Sequence, residues 1–161
     1  MEKMKESLFE LDLIQNSGLA LEAIWSCVCA AHNDNNKNGV PFPLVFLILP
    51  LIFHQITAES LAGKKRRAIL SRVLLDKPAI TMGLQKRMEA LANKTIQALS
   101  VGFSCNILSM QKTAIIPLLK KWEIAHTTNE VMQILDASRR LGWIFAELPP
   151  EQIIFMLGVH F

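Results

Sequence analysis

The sequence predicts a mainly helical protein with one small β-hairpin, a winged-helix-like single domain with extra N- and C-terminal helices. Three observations predict this fold class. Apolar residues recur every three or four positions in several segments, which is the helical period. Two short runs of β-favouring residues follow residue 102. The length of 161 residues suits one domain, so we expect an N-terminal extension over residues 1–15 and the domain over residues 16–161.

The first helix is predicted over residues 18–33, where apolar side chains follow helical spacing. Asn16 and Ser17 precede it, and both residue types favour the N-cap position. The polar run at residues 32–39 is rich in turn-forming side chains and predicts the surface loop that ends this helix.

The uncharged stretch at residues 40–53 predicts a buried helix of the core. A membrane-spanning helix needs about 20 residues, and this shorter stretch is also interrupted by three prolines. We expect the helix over residues 44–54, with Pro43 in its first turn, where no N–H is needed. Pro50 should kink the helix or end it early.

Three further helical segments are predicted before the hairpin. Thr57 is the candidate cap of a short turn over residues 59–62, and a third helix covers residues 64–76. A longer helix is expected over residues 79–102. Its buried stripe comprises Ile80, Leu84, Met88, Leu91, Thr95, Ala98 and Leu99.

The hairpin is predicted from β-favouring residues at 105–110 and 113–116. Gln111 and Lys112 lie between the two runs, and neither favours a two-residue turn, so we expect a longer loop. Helices that lead into a small hairpin are the order of a winged-helix unit, with the hairpin as the wing.

Two helices are predicted after the hairpin. Thr127 and Glu130 form a capping box that opens the first of them. Two prolines separate it from a last short helix over residues 151–157, which Gly158 ends.

Cysteine and histidine usage favours neither a disulfide framework nor a metal site. Three cysteines cannot all pair, and Cys27 and Cys29 would diverge by about 200° on a helix. No catalytic motif is present, and Cys105 is expected to be a buried structural thiol rather than a nucleophile. The sequence therefore indicates a protein of the reducing cytoplasm that is not an enzyme, with no cofactor and no membrane segment.

The excess positive charge lies in one cluster. The chain has a net charge of +3, and without its four consecutive basic residues it has 13 basic and 14 acidic residues. Such a cluster contacts DNA phosphates or an acidic partner, or it is a solvated helix terminus. The candidate contact residues are Lys64, Lys65, Arg66, Arg67 and Arg72.

An apolar excess indicates a subunit of a larger complex. Hydrophobic residues make up 51% of the chain and charged residues only 19%, which leaves apolar surface for a partner. Aromatic residues are favoured at interface centres, and the apolar C-terminal turn suits burial against another chain. The candidate interface residues are Trp122, Trp143, Phe155, Val159 and Phe161.

Three apolar motifs, in their order along the chain, carry a family resemblance. They are PFPLVFLILPLIFH at residues 41–54, LGWIF at residues 141–145 and IIFMLGV at residues 153–159. Over residues 16–161 the chain resembles the small middle component of three-component ABC systems (ABC-3C), the class that includes the Lamassu antiphage complexes.

The resemblance implies a non-catalytic role. The family's middle component joins an SMC-like ABC ATPase to an effector subunit, commonly a nuclease. The ATPase is implied to sense foreign DNA, and the effector then causes abortive infection or plasmid loss. DNA would be met mainly through the complex, and no catalytic residues carry over to this chain.

Two alternatives remain. A small winged-helix DNA-binding regulator is suggested by the basic cluster and the hairpin, and a membrane-active protein by residues 40–53. The prolines and the short length disfavour the membrane protein. The long helix offers the regulator few side chains that could read bases, namely Gln85, Arg87, Asn93 and Gln97.

Overall fold

Helices form most of the structure, and a small antiparallel sheet joins them. The computed structural model describes residues 16–33, 37–63, 70–121 and 128–161. Residues Pro78–Ile80 form a 3-10 turn. The other described elements, in chain order, are α1 (Ser17–Ala31), β1 (Val40–Pro41), α2 (Phe42–Ile52), α3 (Gln55–Leu61), α4 (Leu70–Asp76), α5 (Leu84–Ser104), β2 (Leu108–Gln111), β3 (Ala114–Pro117), α6 (Asn129–Glu147) and α7 (Pro150–Leu157). The predicted fold class, mainly helical with a small antiparallel sheet in a single domain, is confirmed.

The apolar stretch forms α2, which lies in the centre of the core. Eight of its eleven residues are buried, as expected for a helix that is apolar on all sides. Pro43 lies in the first turn of α2. The helix ends two residues after Pro50, because proline has no N–H to donate to the preceding turn. Among the described residues, no single helix is both long and apolar enough to cross a membrane. Only α2 and α3 taken together reach that length and composition, and they are bent by 100° at their junction.

Small residues allow α1 and α6 to pack closely. Among the described elements these two helices share the most extensive contact. A Cβ atom added at Gly142 of α6 would overlap the carbonyl oxygen of Cys27 and lie 2.9 Å from the Cβ of Ala30, both on α1. Glycine at this position is therefore a condition of the helix spacing.

The sheet contains one strand more than the predicted hairpin. Its order is β1-β3-β2, both pairs are antiparallel, and Val40 of β1 lies opposite Ile115 of β3. The sequence does not predict β1, because two residues carry no readable alternation. Gly39 directly before it has φ +70°, and any side chain there would overlap the carbonyl oxygen of Ile115. The short strand thus depends on a glycine.

The longer hairpin loop expected from the sequence is wrong, because the structure has a two-residue turn. Gln111 lies opposite Ala114, so the turn is the two-residue Lys112-Thr113. Lys112 supplies the positive φ of +57° that tight hairpin turns require. The sheet pairing compensates for a conformation that lysine adopts rarely.

Three predicted helix starts are also wrong. His54 is the N-cap of α3, and Thr57 lies buried inside that helix with its hydroxyl 2.9 Å from His54 Nδ1. The N-cap of α6 is Thr128, whose hydroxyl accepts the N–H of Val131. The residue three positions after Thr128 is Val131, so Glu130 is not at the position that a capping box requires. The long helix starts at Leu84 because Pro78–Ile80 forms the separate 3-10 turn.

Candidate interaction surfaces

Of the five candidate contact residues, only Arg72 belongs to the described structure. Residues 64–67 lie outside it, whereas Arg72 is exposed on α4. Gly63, immediately before the cluster, donates its N–H to Asp136 Oδ2 at 3.3 Å.

Asp136 is the centre of a charged group on α6. Arg140 Nε donates to Asp136 Oδ2 at 3.0 Å, and Arg139 pairs with Oδ1 at 3.7 Å. Burial alone would raise the pKa of Asp136, but the hydrogen bonds from Arg140 and Gly63 and the two arginine charges lower it. Asp136 is therefore a carboxylate at neutral pH. The guanidinium of Arg140 also lies over the ring of Trp143, 5.6 Å from its centre.

The five candidate interface residues differ in their exposure. Trp122 lies outside the described residues, and Trp143 is half-buried beneath Arg140. Val159 is a core residue with 3% of its surface exposed, so its side chain is not part of any accessible surface. Phe155 and Phe161 are 86% and 62% exposed, and we refer to these two side chains as the C-terminal apolar surface.

The C-terminal apolar surface rests on an anchored segment. Gly158 ends α7 in the left-handed conformation, with φ +65°. The side-chain amide of Gln85 then makes two hydrogen bonds to the backbone of His160. Its Oε1 accepts the N–H of His160 at 3.0 Å, and its Nε2 donates to the carbonyl of His160 at 3.1 Å. The two phenylalanines therefore project from a fixed backbone and are not the tip of a loose tail. Sequence patterns could not predict this pair of hydrogen bonds, because Gln85 and His160 are 75 residues apart.

The exposed face of α5 is poorly suited to reading DNA bases. Arg87 donates to three backbone carbonyls, those of Pro50 (3.2 Å), Ile80 (2.8 Å) and Met82 (2.7 Å), and Gln85 holds the C-terminal segment. From residue 90 to residue 104 the only charged side chain is Lys94, which donates to Ser17 Oγ. Large exposed apolar side chains on this face are Ile96 and Val101.

The cysteines lie in three different environments. Cys27 is buried, and burial raises the pKa of its thiol far above the ordinary value. Burial also raises the pKa of Cys29 to about 12, and its Sγ lies 3.7 Å from the carbonyl oxygen of Leu119. Cys105 is exposed, which corrects the expectation of a buried thiol, because it follows the last turn of α5 at the molecular surface. Within the described ranges, no three His, Cys, Asp or Glu side chains are grouped as metal ligands would be.

The imidazole of His54 should make stability depend on pH. Burial, and secondarily the charge of Arg87, lowers its pKa from 6.5 to about 4. Between these values the unfolded chain binds a proton that the folded chain does not, so stability falls as pH decreases from 6.5 to 4. We expect His54→Gln to lose less free energy of unfolding between pH 7 and pH 5 than the wild type, measured by urea denaturation. Equal losses in both proteins would contradict this assignment.

Comparison with known proteins gives one match. The model of the family described as "ABC-three component (ABC-3C) system Middle Component 3" matches residues 4–161. Neither the comparison with curated proteins nor the comparison with solved structures gives a match.

Proposed function

The chain belongs to the middle component 3 family of ABC-three component systems, and from this we propose that it is a non-catalytic adaptor in a Lamassu-type defence complex. In this role it joins an SMC-like ABC ATPase to an effector subunit of nuclease type. The complex acts against phages and plasmids, with abortive infection as the outcome. The observation that carries the proposal is the family match over nearly the whole chain.

Exposed apolar side chains in two separate regions support a bridging role. The C-terminal apolar surface presents Phe155 and Phe161, and the exposed face of α5 presents Ile96 and Val101. Apolar side chains that together form an exposed patch are typical of a surface that a partner covers. An adaptor needs two such surfaces, one for each neighbour.

The chemistry of the thiols supports the absence of a reaction in this subunit. A cysteine nucleophile must be a thiolate, but burial raises the pKa of Cys27 and Cys29 well above neutrality. His54 has one ring nitrogen next to the Thr57 hydroxyl, and its pKa of about 4 keeps it neutral. It therefore serves α3 as a structural N-cap residue.

Co-expression with the ATPase and effector encoded beside this chain tests the proposal. We expect one complex that contains all three proteins, and native mass spectrometry should report its composition. Omitting this chain should abolish co-purification of ATPase and effector. A complex of ATPase and effector that forms equally well without this chain would contradict the adaptor role.

A winged-helix DNA-binding regulator is the second candidate. The observation that favours it is a long helix followed by a hairpin whose second strand also pairs with β1. Base reading is disfavoured because Lys94 is the only charged residue of α5 after Glu89, and because Arg87 is engaged by three carbonyls. A regulator would prefer one duplex sequence over others, and loss of that preference in Asn93→Ala or Gln97→Ala would establish it.

A further inference from the structure

The fold brings three lysines from separate segments close to the sheet. Lys37 precedes β1, Lys112 forms the hairpin turn, and Lys120 follows β3, and all three are exposed. A concavity of about 280 Å³ is lined in part by Lys37 and Lys120, and an adjoining one of about 300 Å³ by Lys37 and Lys112. Lys37 is common to both. We refer to these three lysines as the hairpin basic surface.

Hydrogen bonds hold the backbone beside two of these lysines. The carbonyl of Leu119, next to Lys120, accepts the indole N–H of Trp25 at 2.7 Å, and the N–H of Leu119 donates to the carbonyl of Ile107. Lys112 lies in the turn that the pairing of Gln111 with Ala114 closes. Lys112 and Lys120 therefore extend from hydrogen-bonded backbone.

The lining of both concavities suits phosphate groups. No acidic side chain is among the described residues that line them. Gln111 and Thr113 line the second concavity beside Lys112. Lysine, glutamine and threonine side chains are the groups that hydrogen-bond DNA phosphates without reading sequence.

The same lining is unlike the centre of a protein–protein interface. Such centres are enriched in aromatic residues and methionine and depleted in lysine. Of the described residues that line the two concavities, only His32 has an aromatic ring, and none is a methionine. We propose that the hairpin basic surface binds the phosphate backbone of duplex DNA, independently of base sequence. This contact goes beyond the adaptor role, and it uses no residue of the basic cluster at residues 64–67 and none of α5.

Fluorescence anisotropy with a labelled 30-base-pair duplex tests the proposal on the full chain. The variant Lys37→Gln, Lys112→Asn, Lys120→Gln removes three charges, with asparagine at residue 112 because it tolerates positive φ. We expect at least about tenfold weaker binding at 50 mM salt, and a slope of log K against log salt that is smaller by about 2 to 3. Duplexes of unrelated sequence should behave alike.

A matched control removes three charges elsewhere, by Lys77→Gln, Lys86→Gln and Arg139→Gln, all exposed residues outside both concavities. It should bind the duplex nearly as well as the wild type, and circular dichroism should show that both variants are folded. Equal losses in the two variants, no binding by the wild type, or selective binding of labelled poly-glutamate instead of DNA would each overturn the proposal. If the triple variant at residues 37, 112 and 120 still captures the ATPase, the adaptor role stands independently of the DNA-binding result.

Discussion

Replacing Gly142 with alanine is expected to destabilise the protein by about 3 kcal/mol or more, since overpacking against immobile backbone is among the costliest core changes. The added Cβ would overlap the carbonyl oxygen of Cys27 and approach Ala30. Backbone cannot move aside as a flexible side chain does, so α1 and α6 would have to separate. Urea denaturation followed by circular dichroism measures the effect.

Gly18→Ala is the matched control for this prediction. Gly18 lies in the first turn of α1, and the nearest atom to an added Cβ is Asn16 Oδ1 at 3.4 Å. Alanine costs less conformational entropy in a helix, so this variant should be equally stable or more stable by up to about 1 kcal/mol. A Gly142→Ala protein with the wild-type denaturation midpoint would show that α1 and α6 can adjust their spacing.

Replacing both Phe155 and Phe161 with serine should weaken capture of a partner subunit by at least about tenfold, since an interface aromatic commonly contributes about 2 kcal/mol. This expectation rests on the proposed adaptor role. The fold should be unaffected, because the side chains are 86% and 62% exposed and Val159 still anchors the segment in the core. Pull-down with tagged ATPase and, separately, with tagged effector measures the loss for each partner.

Leu75→Ser provides the control for the interface variant. Leu75 is 80% exposed on α4, so the change removes a comparable apolar side chain at a different place. It should leave capture unchanged. If Leu75→Ser weakens capture while the double phenylalanine variant does not, the partner surface lies on α4 and not at the C-terminus.

Long periodic segments made most of the helices predictable from sequence. The stripe of α5 from Leu84 to Leu99 is buried as expected, because an amphipathic helix has one way to hide its apolar side. The N-cap Asn16 accepts the N–H of Leu19 at 3.0 Å. Both features depend on residues a few positions apart.

Features that depend on distant residues were not predictable. β1 exists because Gly39 allows Val40 to reach Ile115, and two residues give no periodic signal. The winged-helix arrangement stays a prediction, although the sheet order is now known. Helix starts shifted by one to five residues, since neighbouring residues such as Thr127 and Thr128 can serve equally as caps until packing selects one.

The interaction surfaces were predictable only in part. An apolar C-terminus pointed to Phe155 and Phe161, but the same pattern also included Val159, which the core uses. The hairpin basic surface has no sequence signature, since Lys37 and Lys112 come together only through the sheet. The basic cluster was visible because its four residues are consecutive.

Arg87 has a consequence for how the molecule opens. Its guanidinium donates to the carbonyls of Pro50 in α2, Ile80 in the 3-10 turn and Met82 in the segment between that turn and α5. Moving any one of these segments away would break one charge-assisted hydrogen bond to Arg87, which costs free energy. We therefore expect the local opening of one segment to be coupled to that of the other two.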